Sequence, residues 1–434
     1  MINTRQSAYE ALLKTEKEGA YSNIALDLLL SKSAYDTRDR AFVSNLFYGV
    51  IERKLTLDYQ IGLYTAKPVS KMKADLLTVL RLGAYQLLFM DKVPSSAAVN
   101  ESVNLAKKNG ISHASGLVNA VLRKIDKNGF ILPSEENYSE YLSVKYSCPQ
   151  WLINKWTKEY GKELTEGILS HSLGACKTYI RVNNTLLGAD ELVDKLDAEG
   201  VKAEKTNIDN CLEIALGGRG VESLECFKKG CFHVQDVACQ LCAASLNARP
   251  GDRVFDLCAA PGGKTYTIAE IMNGEGEVLS FDIHPHRVEL ISKGAERLSL
   301  SSVKAMVGNA CVFNEDLGMA DAVLCDVPCS GFGIIGRKPE IKYKDPDEVK
   351  ALPSLQLEIL QNGARYVKEG GRLVYSTCTL SHSENEKVCK KFLESRSDFK
   401  AVSPFGNKTE GEYLTLFPQE NDADGFFIAC FERK

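Results

Sequence analysis

The sequence predicts an α/β chain in three parts: an all-helical head over residues 1–133, a small α+β domain over 134–230, and an open parallel sheet covered by helices over 231–434. Two changes of pattern and one of charge predict it. Apolar residues keep i, i+3, i+4 spacing through the first part. From residue 231, short β-branched apolar runs alternate with helical segments, as expected of strands buried on both faces. The three parts carry net charges of +6 (18 Lys and Arg, 12 Asp and Glu), −4 (12 and 16) and −6 (23 and 29), within a whole-chain charge of −4.

In the head, SAYEALLKTEKE, NIALDLLLSK, RDRAFVSNLFYGVIERKLTLDYQIGLY, ADLLTVLRLGAYQLLFM, AAVNESVNLAKKNG and HASGLVNAVLRKIDKNG each read as helix. Gly110 and Gly129 read as helix stops, and Pro68 and Pro94 punctuate the turns. In the second part a helix opens after Pro149, in SCPQWLINKWTKEYG. TYIRVNNTL and CLEIALG read as strands, and LGADELVDKLDAEG as a helix. In the third part DRVFDLCAA, EVLSFDI, VKAMVG, DAVLCDVP and GRLVYSTC read as successive strands. EYLTLFPQENDADGFFIACFERK reads as two strands about an Asp-Gly turn, which would close the sheet with an antiparallel edge.

Composition is that of a soluble globular chain, with 434 residues, 44% apolar and 25% charged. No apolar run reaches the ~18 residues of a membrane span. The first residues, MINTRQSAYEALLKTEKEG, lack the apolar core of a signal peptide. The expected address is the cytoplasm, with the 14 cysteines reduced. The basic head fits a polyanionic partner, and equally fits chance variation of surface charge. The oligomeric state stays open, and a monomer is compatible with everything above.

The strongest local signal is DLCAAPGGKT, residues 256–265, between a strand and a helix. A phosphate-binding P-loop needs a glycine where this chain has Cys258, and a dinucleotide fingerprint needs G-x-G-x-x-G. Both fail. A Gly262-Gly263 turn remains, letting a ligand approach amides at a helix N-terminus. Asp282 ends the next strand and suits a ribose diol. Asn309 and Asp326 end the third and fourth strands. A lone strand-end Asp is usually a helix cap, but polar ends in register on consecutive strands point to a nucleoside pocket at the carboxyl edge. S-adenosylmethionine fits such a pocket. Its amino-acid tail can meet Gly262 and Gly263, its ribose Asp282, and its adenine amino group the Asn309 side-chain oxygen.

Cys329 (DVPCSG) and Cys378 (YSTCTLS) sit just beyond strands at that same edge. Most of the other cysteines read as small buried hydrophobes. Cys239 and Cys242 form C-x-x-C in a helical stretch, with no second pair at zinc-site spacing, so no metal is expected. A thiol beside a methyl donor answers a specific difficulty. Carbon-5 of a pyrimidine is a poor nucleophile until a thiolate adds at carbon-6. A thiol of ordinary pKa, about 8.5, needs nearby positive charge or amide dipoles to ionise at neutral pH. Lys264 and Arg337 are both candidates for that charge. A second thiol can serve product release, and Asp326 can hydrogen-bond the cytosine N3/N4 edge.

AAPGGKT, DVPCSGFG and YSTCTLSHSENE together resemble the RNA cytosine-5 methyltransferases of the NOL1/NOP2/Sun group. The resemblance implies a Rossmann-like methyltransferase sheet over 231–434, Cys378 as the nucleophile that forms the RNA adduct, and Cys329 as the thiol of product release. It implies S-adenosylmethionine contacts at Cys258, Ala259, Ala260, Pro261, Gly262, Gly263, Lys264, Asp282, Asn309 and Asp326. GFGIIGRKPEIKY is similar to the group's basic segment near the RNA. Residues 1–130 resemble the RNA-binding NusB domain, with RDRAFVSNLFYGVI and LLTVLRLGAYQLLFM as the nearest stretches. A NusB-like head on this catalytic half is the arrangement of the bacterial Sun/Fmu branch, which implies a cytosine of small-subunit (16S) ribosomal RNA as the target. Asn309 departs from the group's usual Asp, though an asparagine oxygen can still accept from an adenine amino group. Two further readings stay open: an assembly factor that binds the methyl donor without turnover, and a small-molecule or protein methyltransferase. The thiol pair speaks against the first, and the basic head against the second.

Overall fold

The computed structural model describes residues 3–18, 26, 30, 35–174, 176–406 and 411–434. It forms two compact units, Met1–Leu173 and Gly174–Lys434. The helix expected in NIALDLLLSK lies outside the described residues apart from Leu26 and Leu30.

The first unit is helical among its described residues: α1 (Thr4–Glu18), α2 (Thr37–Glu52), α3 (Lys54–Gly62), α4 (Ala74–Phe89), α5 (Ser95–Lys108), α6 (Ser115–Asn128), α7 (Tyr138–Tyr146) and α8 (Gln150–His171). The continuous helical pattern of residues 38–64 breaks at Arg53, whose φ of −100° and ψ of 16° leave the helical region and separate α2 from α3. Gly129 ends α6 with φ 67°, as expected of a left-handed stop. Gly161, with φ 82°, breaks α8 into two helical stretches. The helices α7 and α8, which the pattern groups with the small domain, belong to this unit.

Its core holds Val43, Phe47, Leu57, Val79, Leu80 and Leu122. Gly83 lets α4 meet α6, since a Cβ there would lie 2.4 Å from Leu122 Cδ1. Arg81 of α4, 4% exposed, is the buried ion-pair hub. Its Nε and Nη2 donate to the Asp58 carboxylate at 2.6 and 2.8 Å, and its Nη1 donates to Glu16 Oε2 at 2.8 Å. That joins α1, α3 and α4.

The second unit opens on a small antiparallel sheet of β1 (Thr178–Val182), β2 (Lys202–Lys205), β3 (Cys211–Ala215) and β4 (Phe232–Val234), in the order β2-β3-β1-β4. The helix α9 (Ala189–Ala198) buries Leu192 and Leu196 against Ile180, Leu212 and Ile214. Two of these strands carry no sequence signal. Lys202–Lys205 is an exposed edge with no apolar face, and Phe232–Val234 has only three residues.

The large sheet follows: α10 (Val237–Ser245), β5 (Arg253–Asp256), α11 (Gly263–Ile271), β6 (Glu277–Asp282), α12 (Pro285–Arg297), β7 (Val303–Val307), β8 (Ala320–Asp326), α13 (Leu352–Gly363), β9 (Val367–Thr377), α14 (Glu386–Ser395), β10 (Phe399–Val402), β11 (Tyr413–Leu416) and β12 (Phe426–Arg433). Strand order is β10-β12-β9-β8-β5-β6-β7, with β11 beside β10 on the same edge of β12. The strands from β9 to β7 run parallel, and β12 pairs antiparallel with β9.

Neighbouring residues on these strands enter opposite cores, the period of two that a pleated sheet imposes. Val254, Val278, Leu324, Val374 and Ile428 pack with residues of α10, α11 and α12 on one face. Phe255, Leu279, Val323, Leu373 and Phe427 pack with residues of α13 and α14 on the other. Near the end of the chain the expected pair of strands is present, joined through a short helix, Pro418–Asn421, rather than a tight turn. The strand β10 is additional to the sequence expectation.

Candidate active site

The parallel strands deliver their last residues to one edge. Beyond β5 the chain turns through Cys258–Gly262 into α11. Gly262 has φ 110°, and a Cβ there would stand 2.3 Å from Tyr266 Oη, so the turn needs glycine on both counts. At Gly263 a Cβ would meet nothing nearer than 3.6 Å, which leaves the backbone approachable. Ala259 N–H donates to Phe281 O at 2.8 Å, tying the loop to β6. Cys258 is half-buried and packs into the core beneath.

Asp282 ends β6 and is 8% exposed. Its Oδ1 accepts from His284 N–H at 2.9 Å, and Arg287 Nη1 lies 3.8 Å from Oδ2. Asn309 follows β7 and is exposed. Its side-chain oxygen accepts from Cys311 N–H at 3.0 Å, so any adenine amino group would share that oxygen. Asp326 ends β8. Its Oδ2 accepts from Lys264 Nζ at 2.6 Å and its Oδ1 from Ser376 Oγ at 2.8 Å. These positions, with the Gly262 turn between them, fit a ligand that carries an amino-acid end, a diol and a ring amine.

The two thiols meet. Cys329 Sγ lies 3.3 Å from Cys378 Sγ, although 49 residues separate them. Parallel pairing of β8 with β9 makes this possible, because Asp326 and Ser376 are in register and each chain then continues off the same edge. The Cys329 S–H bond to Cys378 is the chief reason that Cys378 titrates below the ordinary thiol range; burial and Asp326 oppose it and the Lys264 cation assists. The same bond, then burial and the charges of Glu384 and Asp326, hold Cys329 well above that range. Burial pulls the Lys264 pKa down, yet Asp326 above all keeps it well above the usual lysine value.

Of the two cations offered by the sequence, only Lys264 is among the groups that act on Cys378. Arg337 is spent elsewhere. Its Nε donates to Asp424 Oδ1 at 2.7 Å, its Nη2 to Asp236 Oδ2 at 2.8 Å and its Nη1 to Lys177 O at 3.1 Å. Of the other basic residues in its segment, Lys338 is exposed and Lys342 is buried, and just beyond it Lys344 Nζ donates to Ser330 O at 2.9 Å.

Two carboxylates at the site escaped the sequence reading. Glu384 is fully buried and accepts from Ser330 N–H (2.9 Å), Ser330 Oγ (2.6 Å) and Gln356 Nε2 (3.0 Å). Asp256, last in β5 and 1% exposed, accepts from Thr265 Oγ1 at 2.7 Å, and burial pushes its pKa up to about 7. Asp256 shared the strand-end signal of Asp282 and Asp326. Glu384 sits in a loop, within the quoted YSTCTLSHSENE stretch, and was not singled out there. Among the described residues no group of three or more His, Cys, Asp or Glu is placed to hold a metal ion. No described helix is long and apolar enough to cross a membrane.

Three family models match the chain: NusB over residues 2–127, a ferredoxin-like domain of RsmF/B-like methyltransferases over 148–217, and the 16S rRNA methyltransferase RsmB/F over 243–432. The chain is similar along its whole length to the probable ribosomal RNA small subunit methyltransferase B of Bacillus subtilis, with 36% identity and 99% of that protein covered. The corresponding Escherichia coli O1:K1 / APEC protein is 30% identical, again with 99% covered. Among solved structures, the crystal structure of PH0851 superposes with a TM-score of 0.83 at 27% identity, covering 100% of this chain and 99% of that one. An NSun6 structure from Pyrococcus horikoshii shares the fold over 66% of this chain and 98% of its own, with a TM-score of 0.59 at 21% identity. Likeness of this extent, running through a NusB domain, a ferredoxin-like domain and a Rossmann-like sheet in one order, means that the chain belongs to the ribosomal RNA small subunit methyltransferase B family.

Proposed function

We propose that the chain transfers a methyl group from S-adenosylmethionine to carbon-5 of a cytosine in small-subunit (16S) ribosomal RNA, through a covalent bond between Cys378 and carbon-6. The observation that carries this reading is the 3.3 Å approach of Cys378 to Cys329 at the carboxyl edge, beside the Lys264–Asp326 pair. A site that only bound nucleoside and RNA would need neither sulfur. The ribosomal RNA substrate is supported by the names of the full-length relatives.

In this reading Cys378 enters as thiolate and forms the S–C6 bond while ring electrons move toward carbon-5. S-adenosylmethionine supplies the electrophilic methyl that carbon-5 then takes. Asp326 accepts from the cytosine N4 amine. A carboxylate offers about four acceptor sites, so its bonds to Lys264 and Ser376 leave capacity for the base. Lys264 keeps the carboxylate in place and offsets negative charge as the thiolate forms. For release, a general base takes the carbon-5 proton, its bond electrons restore the C5–C6 double bond, and the S–C6 electrons return to Cys378, with Cys329 assisting. General-base help of this kind is worth about 10²–10⁴-fold.

The target cytosine must leave any base stack to reach the sulfur, which favours a loop or junction of the RNA. The helical head, with its excess of six positive charges, supplies phosphate contacts. The test uses unmodified ribosomal RNA and labelled methyl donor. Cys378→Ala should abolish transfer, and Cys329→Ala should accumulate an enzyme–RNA species that survives denaturing electrophoresis. Normal methylation by both variants would end the two-thiol reading.

A further inference from the structure

The two thiols are chemically alike, so something outside them must decide which attacks. We propose that Glu384 is the positioning residue that makes this choice: it holds Cys329 as the proton-bearing partner and so leaves Cys378 as the attacking sulfur. The inference rests on the two-thiol reading above and deepens it.

Glu384 ties together the residues that follow each sulfur. It takes the Ser330 hydroxyl proton through Oε1 at 2.6 Å and the Ser330 N–H through Oε2 at 2.9 Å. With that single proton spent, the 2.6 Å contact between Ser330 Oγ and Thr379 Oγ1 must run from threonine to serine. Ser330 follows Cys329, and Thr379 follows Cys378. A directed chain, Thr379 to Ser330 to Glu384, thus joins the two loops one residue beyond each sulfur. Gln356 Nε2 donates both to Glu384 Oε2 and to Pro328 O, each at 3.0 Å, and so fixes the residue before Cys329 as well.

The charges around the pair are unequal. Glu384 acts on Cys329, where a second buried anion would be costly. Lys264 acts on Cys378. Asp326 faces both sulfurs and Asp424 faces Cys378, so neither of these favours Cys378 as the thiolate. Beside the bond between the sulfurs, Glu384 on the Cys329 side and Lys264 on the Cys378 side are charges that favour Cys378 as the thiolate.

The test needs neither RNA nor methyl donor. The full-length protein is treated with iodoacetamide across a pH series, and modification of Cys329 and Cys378 is followed separately by peptide mass spectrometry. In the unsubstituted protein Cys378 should react about tenfold faster than Cys329 at neutral pH. Glu384→Gln should cut that ratio about fivefold, by moving the Cys329 profile to lower pH. A Glu384→Gln protein with a native melting transition and an unchanged ratio overturns the proposal. Should that variant not fold, Ser330→Ala decides, because it breaks the chain to Thr379 and keeps the charge. It should lower the ratio about threefold, and an unchanged ratio refutes the role. Failure of the two-thiol reading looks different: Cys378→Ala would still methylate RNA, whatever the alkylation ratio does.

Discussion

Gly333 and Gly425 pack backbone against backbone beside the Cys378 peptide. Gly333 N–H donates to Cys378 O at 3.0 Å, and Gly425 N–H donates to Gly333 O at 2.9 Å. A Cβ on Gly333 would stand 1.9 Å from Gly425 O and 2.9 Å from Cys378 O. Gly333→Ala should therefore displace the Cys378 peptide, lower stability by about 1–3 kcal/mol and reduce methyl transfer. Urea unfolding together with a transfer assay checks both effects.

The Cys378 thiol depends on two neighbours for its depressed pKa. Cys329→Ala removes the S–H donor and should move the alkylation midpoint of Cys378 upward. Lys264→Met removes the assisting cation and should do the same, while leaving Asp326 without its ammonium partner. A midpoint that stays put in both variants would contradict the electrostatics of the site.

Asp256 gives a stability signature with a definite sign. Burial raises its pKa to about 7, against an ordinary aspartate value of ~3.9 in the unfolded chain. The folded state therefore binds the proton more tightly, and its stabilising effect is lost as pH rises from about 4 through 7. Asp256→Asn should be near neutral at pH 4 and gain relative to the parent up to pH 8, by on the order of a few kcal/mol. Urea unfolding of both proteins at pH 4.5, 6 and 8 reads this difference directly.

In the helical unit, Arg81 holds Asp58 and Glu16 together from three helices. Removing it leaves Asp58 without its paired donors and Glu16 with the Lys54 ammonium at 3.4 Å. Arg81→Met should cost about 3 kcal/mol. Arg81→Lys should recover only part, because a lysine cannot reproduce the paired bonds to Asp58. Denaturant midpoints of the three proteins rank the effect.

A titration with ribosomal RNA tests the head. Phosphate contacts release counterions, so affinity should fall steeply and linearly on a log–log plot against salt. A flat response would remove the head from RNA binding.

Much of this was legible in the residues because the signals were periodic or covalent in nature. Val254/Phe255 and Leu373/Val374 alternate between two cores, and that alternation is written in the apolar runs. The Gly262 turn was readable because its geometry excludes side chains. Arg337 could not be ranked against Lys264 as a charge for the thiols because its partners, Asp236 and Asp424, are 101 and 87 residues away. The role of Glu384 was unreadable for the same reason: its donors at Ser330 and Gln356 are 54 and 28 residues distant. The strand β2 has no buried face, and so nothing to mark it in the sequence.

The Arg337 guanidinium has one further consequence. It reaches the main chain just before β1, the residue that caps α10, and the approach to β12, all from the segment that follows Cys329. A fragment cut to the large sheet alone would lose the Lys177 anchor, and trimming past Asp236 would free the guanidinium on two sides. A catalytic half cut free of the head should start ahead of Lys177, or expect a slack loop where the second sulfur belongs.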